Sequence, residues 1–166
     1  MKISRGKGEK IDFNQVEPIE AELLKQIPAA TQGEDDPKVK SRLYPDPGGD
    51  AGAGAALSAD WEELVRPDLE HLFLSSRRVV EGDLTQMKER RGLATLSIPL
   101  GHADAWLNAL NQARLVLATR YEFTDSELLQ YEPPVIFSRR DLALLQINFY
   151  AAIQERLIEA LEGRLR

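Results

Sequence analysis

The side chains able to do chemistry are few and scattered. The chain has two histidines and no cysteine. His71 lies in a helical pattern but off its main apolar face, and His102 follows Gly101 at the start of the next helix. Neither belongs to a His-x-x-x-His or Glu-x-x-His pair. Those two pairings, which would set metal ligands on one helix face, are missing, so no metal is expected. A histidine titrates near neutrality and can act as a pH switch, but an isolated one reads first as a surface or interface residue. Gly48-Gly-Asp-Ala-Gly-Ala-Gly54 is rich in glycine. No Gly-Lys-Ser/Thr accompanies it and no apolar strand precedes it, so the context for cradling phosphate is lacking. There is no Gly-x-Ser-x-Gly either. No catalytic residue and no cofactor is expected.

Arg114 is the polar residue with the most to explain. Leu110, Ala113 and Leu117 surround it in a helical pattern, so its stem should be buried and its guanidinium should need a carboxylate or carbonyl partner. Asp83, Asp125 and Asp141 are the candidates. The plain reading is a structural bridge between helices. The sharper one is an anion pocket built from Arg114, Arg120, Asn108 and Asn111.

Composition narrows the classes. At 166 residues with 43% hydrophobic content, the chain is long enough for one ordinary core, and a single domain is expected over 1–166. The net charge of −6 argues against broad binding of nucleic acid. A local basic arm, Lys2, Arg5, Lys7 and Lys10, reads first as edge protection on exposed strands, with an anion or nucleic-acid contact as the alternative. Without cysteine there is no disulfide, thiolate zinc site or cysteine nucleophile. The polar N-terminus lacks a signal-peptide core, and no apolar run approaches the ~20 residues that span a bilayer. The expectation is a soluble cytoplasmic protein with no membrane contact.

The elements that must position these residues follow from periodicity. Lys2 to Phe13 reads as a hairpin with turn glycines Gly6 and Gly8. Glu17 to Gln26 reads as a short helix with Pro18 in its first turn, stopped by Pro28. Residues 29–57 lack periodicity and read as a long, partly mobile loop in which Leu43 and Tyr44 dock on the core. Ser58 to about Gly82 reads as a helix capped by Ser58, with Trp61, Leu64, Val65, Leu69, Leu72, Phe73 and Val80 on its buried face. Pro67 should kink it or begin a second helix. Lys88 to Gly92 is polar and ends in a turn; Leu93 to Ile98 alternates like a strand. Ala103 to Tyr121 is a strong helix. Thr124 to Tyr131 is a short turn or helix, and Glu132-Pro-Pro134 should be rigid and extended. Phe137 should staple onto Leu142.

Ser138 to Gly163 reads as a final helix, opened by a Ser138/Asp141 capping box and closed by Gly163. Leu142, Leu145, Phe149, Ile153, Leu157 and Leu161 form one apolar stripe; Leu144, Ile147, Ala151 and Ile158 form a second. Two stripes are more than a surface helix buries. Either the Ser58–Gly82 and Ala103–Tyr121 helices together wrap the second stripe, or it is the candidate interface, for a protein partner or for a second copy in a homodimer. Gln146 and Gln154 fall within the apolar arc and should hydrogen-bond across a seam.

Three blocks carry a family resemblance: Arg42-Leu-Tyr-Pro45, Ala105-Trp-Leu-Asn-Ala-Leu-Asn-Gln-Ala-Arg-Leu-Val-Leu-Ala-Thr-Arg120, and Tyr150-Ala-Ala-Ile-Gln-Glu-Arg-Leu157. Together they resemble the DUF2017 family, bacterial proteins of unknown function best represented in actinobacteria. The chain departs from it in the Gly/Ala-rich loop and at Ala118, where relatives are expected to carry glycine. Members are often encoded beside the adaptor of the Clp protease, so the resemblance implies a link to protein quality control. It implies no catalytic residues.

The resulting expectation is an α+β, mainly α fold. Three long helices pack with a small antiparallel sheet from 2–5, 10–13 and 93–98. The expected function is a non-enzymatic interaction or adaptor protein. The alternative is a binder or enzyme for a small anionic ligand, using Arg114 and Arg120.

Overall fold

The computed structural model describes residues 1–48, 53–129 and 138–163. Its sheet is antiparallel and four-stranded, in the order β1-β2-β4-β3. β1 (Lys2–Gly6) and β2 (Lys10–Val16) form the hairpin, and β4 (Leu93–Pro99) pairs with β2. One face is wet and the other carries Ile3, Ile11, Phe13, Ala94, Leu96 and Ile98 into the core. A bulge between Phe13 and Val16, with Gln15 at φ 52, inserts a residue and turns Val16 inward where strict alternation would place Gln15.

The fourth strand, β3 (Lys88–Arg90), lies in the polar segment that ends in a turn at Gly92, where the sequence pattern predicts no strand. Arg91 and Gly92 both have positive φ and close it tightly onto β4. All three of its residues are exposed. An edge strand of this kind has no apolar alternation to reveal it.

The helices are α1 (Pro18–Lys25), α2 (Ile27–Ala30), α3 (Pro37–Leu43), α4 (Ala53–Leu64), α5 (Arg66–Leu84), α6 (Ala103–Arg120), α7 (Asp125–Leu129) and α8 (Arg139–Leu161). The long loop over 29–57 is corrected: it contains α3 and the start of α4. α3 is announced by its cap rather than by a period. The Asp36 carboxylate accepts from the Lys38 N–H at 2.9 Å, and Pro37 opens the first turn. Leu43 and Tyr44 are buried as expected, in a second core cluster with Val39 and Val116.

Ser58 does not cap a helix, because α4 begins at Ala53. Its hydroxyl instead donates to Asp46 at 2.6 Å. Pro67 falls in the first turn of α5, so the pattern is divided in two at Val65. The face expected to be buried splits as well. Trp61, Leu69 and Phe73 pack against the second cluster, while Leu64, Val65 and Leu72 are 66%, 43% and 40% exposed.

α8 starts at the expected box: the Ser138 hydroxyl accepts from the Asp141 N–H at 3.1 Å, and the Ser138 N–H donates to Asp141 at 2.9 Å. Gly163 follows it at φ 70. Its buried face is Ala143, Gln146, Ile147, Tyr150, Ile153, Leu157 and Ala160, packed on α6 and β1. This face runs between the two expected stripes and draws from both. The expected Phe137 staple and the extended Glu132-Pro-Pro134 lie outside the described residues.

Candidate functional site

Arg114 sits at the seam between α6 and α8. One guanidinium nitrogen, Nη1, donates to Gln154 Oε1 at 2.6 Å. Gln154 Nε2 donates in turn to the Leu107 carbonyl at 3.2 Å, which fixes the amide. Gln154 thus bonds across a seam as its place in the apolar arc suggested. Arg114 Nε is buried with no partner. Among the described residues no carboxylate pairs with Arg114, and burial alone lowers its pKa from the ordinary value. Asp83, Asp125 and Asp141, the expected partners, are not bonded to it. Asp141 caps α8.

Two clefts meet at this side chain. One, of about 310 Å³, is lined by Arg42, Asn111, Arg114, Leu115 and Ile147, with Phe123 and Leu128 beyond and Glu122 and Asp125 among the polar lining. The other, of about 490 Å³, lies between Arg114 and Ala151, Gln154, Glu155, Ile158 and Glu159. Asn111 therefore joins Arg114 in the first cleft, whereas Asn108 and Arg120 line neither. At about 100° per residue, Asn111 is roughly 60° from Arg114 around the helix, and Asn108 and Arg120 are each roughly 120° away. Arg120 is spent elsewhere, donating to the Gln32 carbonyl at 2.8 Å. The cation that does join the cleft is Arg42, two residues before the buried Tyr44. Only the tertiary docking of α3 on α6 brings it there.

The outer wall of that cleft is fastened by Arg140. Its Nη2 donates to Glu127 at 2.6 Å, its Nε donates to the Tyr121 carbonyl at 3.3 Å, and its guanidinium lies 4.2 Å from the centre of the Phe123 ring. The Thr124 N–H, then Arg140 and the Thr124 hydroxyl, hold the Glu127 carboxyl down at about 2.

Asp83 serves a different pair. It accepts the indole N–H of the buried Trp106 at 2.8 Å and lies 3.0 Å from His102 Nδ1. His71 is exposed on α5. Among the described residues, no cluster of three or more His, Asp or Glu side chains could hold a metal ion. No helix there is long and apolar enough to cross a membrane.

The second stripe of α8 does not present one surface. Ile147 is only 3% exposed and belongs to the main core, Leu144 and Ala151 are half-buried, and Ile158 is 44% exposed. A larger apolar exposure lies on α4 and α5. Leu57 and Leu64, seven residues apart on one side of α4, are 51% and 66% exposed. Val65 and Leu72 extend the exposure across the junction.

A four-stranded antiparallel sheet under long helices, with a half-buried arginine at their seam, defines an α+β, mainly α protein. The chain belongs to the family described as a domain of unknown function, DUF2017, whose model matches residues 6–161. Neither a curated protein nor a solved structure matches the chain.

Proposed function

We propose that the protein is a cytoplasmic, non-enzymatic interaction protein that docks a partner along the outer side of α4 and α5. The observation that carries this reading is the run of exposed Leu57, Leu64, Val65 and Leu72. Exposed apolar side chains grouped in a patch and rimmed by polar residues are a mark of interaction sites. Charge indicates the occupant. Asp60, Glu63 and Asp68 are exposed along the same two helices, and Arg66 is already paired with Glu62 and Glu70. An acidic rim favours an amphipathic partner helix with basic flanks over a second copy of this acidic chain. The family resemblance, whose members are often encoded beside a Clp adaptor, implies protein quality control as the setting.

The test places a photo-crosslinking residue at Leu64 and, as a control, at Thr95 on the sheet. We expect light scattering to find a monomer. In native lysate the Leu64 position should form a defined crosslink that salt and Leu72→Asp suppress, and the Thr95 position should not. A dimer broken by Leu64→Asp would replace the foreign partner with a second copy. Crosslinking that is indifferent to both salt and Leu72→Asp would remove the surface.

A further inference from the structure

A guanidinium withdrawn from water normally recovers its hydration loss from a carboxylate. Arg114 is half-buried, donates one neutral hydrogen bond, to Gln154, and has no carboxylate partner among the described residues. Its Nε is left without a partner. That nitrogen is sealed from solvent, but the side chain also lines two open clefts, from which an external anion could reach the guanidinium.

Of the two clefts at Arg114, the one on the Glu155 and Glu159 side offers no second cation and two acids. The other adds Arg42 and the Asn111 amide, beside apolar walls from Leu115, Phe123 and Ile147. We propose that the cleft shared by Arg114, Arg42 and Asn111 binds a small monocarboxylate with an apolar body, its carboxylate held by Arg114 and its chain lying against Leu115 and Ile147. A planar guanidinium suits a carboxylate geometrically. Glu122, already bonded to Lys38, and Asp125 also line the cleft. These two carboxylates disfavour a dianion such as phosphate. A volume of about 310 Å³ is at the small end for a ligand pocket and accommodates such a body with room to spare.

The probes are sodium 4-methylpentanoate, its neutral amide, and inorganic phosphate, titrated against the full chain and followed by the NMR signals of the arginine side chains and by calorimetry. We expect the carboxylate to bind and to shift the Arg114 Nε–H resonance, with the amide and phosphate silent. Arg114→Gln should weaken binding about tenfold or more, the loss of one charge-assisted hydrogen bond. Arg42 is exposed, so Arg42→Ala keeps the test open should the Arg114 variant fail to fold. It should weaken binding while leaving the backbone spectrum intact. The proposal is overturned if the carboxylate does not bind at millimolar concentration, if the amide binds equally well, if phosphate binds more tightly, or if the well-folded Arg42→Ala chain binds as the parent does.

Discussion

Asp83 and Trp106 meet in the interior, the carboxylate of α5 accepting the indole N–H of α6 at 2.8 Å. Trp106 is wholly buried and stacks at a tilt on Phe13, 5.4 Å between ring centres, so this one bond ties α5, α6 and the sheet together. Asp83→Ala would strand the indole N–H away from water. We expect a loss of about 2–4 kcal/mol in urea unfolding. Asp83→Asn keeps an acceptor and should cost about half as much. Equal costs for the two would show that the hydrogen bond is not what matters.

The two sides of α8 should respond very differently to truncation. Ile147 is in the core, so Ile147→Ala should cost about 2–5 kcal/mol. Ile158 is 44% exposed, and Ile158→Ala should stay within about 0.5 kcal/mol. Chemical denaturation of the two variants decides it, and comparable losses would mean that Ile158 is covered in solution by something beyond this chain.

Tyr150 donates its hydroxyl proton to the Leu23 carbonyl at 3.0 Å, and burial pushes its phenol well above the ordinary value of 10. The folded state thus favours the neutral phenol. That contribution is whole below about pH 10 and is lost as pH rises further. Tyr150→Phe should lose about 1 kcal/mol at pH 7 and show a shallower decline of stability above pH 10. Identical alkaline limbs in the two proteins would contradict this.

Glu127 gives the opposite sign. Its carboxyl is held at about 2 against an ordinary 4.5, so it stabilises the fold above pH 4.5 and loses that contribution as pH falls toward 2. The melting temperature of Glu127→Gln should lie below that of the parent at pH 6, with the gap closing by pH 2. A gap that is constant with pH would point to lost packing instead of lost charge.

Which parts were legible depends on what kind of signal each element needs. The strands 93–98 and 10–13 alternate because one face is buried, and the alternation is visible in any window. α3 is two turns held by Asp36 and Pro37, so its signature is a cap and not a period. α8 shows why periodicity can misplace a face by part of a turn. Its buried side includes Ala143 and Ala160, too small to weigh in an apolar count, and Gln146, which looks polar. Gln146 is admitted to the interior because its amide donates to Gln26 at 2.7 Å, a partner 120 residues away. Arg114 could be singled out from its apolar flanks. Arg42 could not, since nothing near it in sequence says that α3 will fold against α6.

The bond from Tyr150 to Leu23 spans 127 residues, and the Gln146 to Gln26 bond spans almost as many. α8 is thus synthesised after everything it packs against. Until it leaves the ribosome, the inner faces of β1 and α6 have no lid, and the growing chain carries them uncovered. Contacts of such long sequence separation slow folding and lengthen the time in which a nascent chain can aggregate or be caught by a chaperone. A stop codon anywhere before residue 150 should therefore yield a chain that is cleared rather than a smaller working protein.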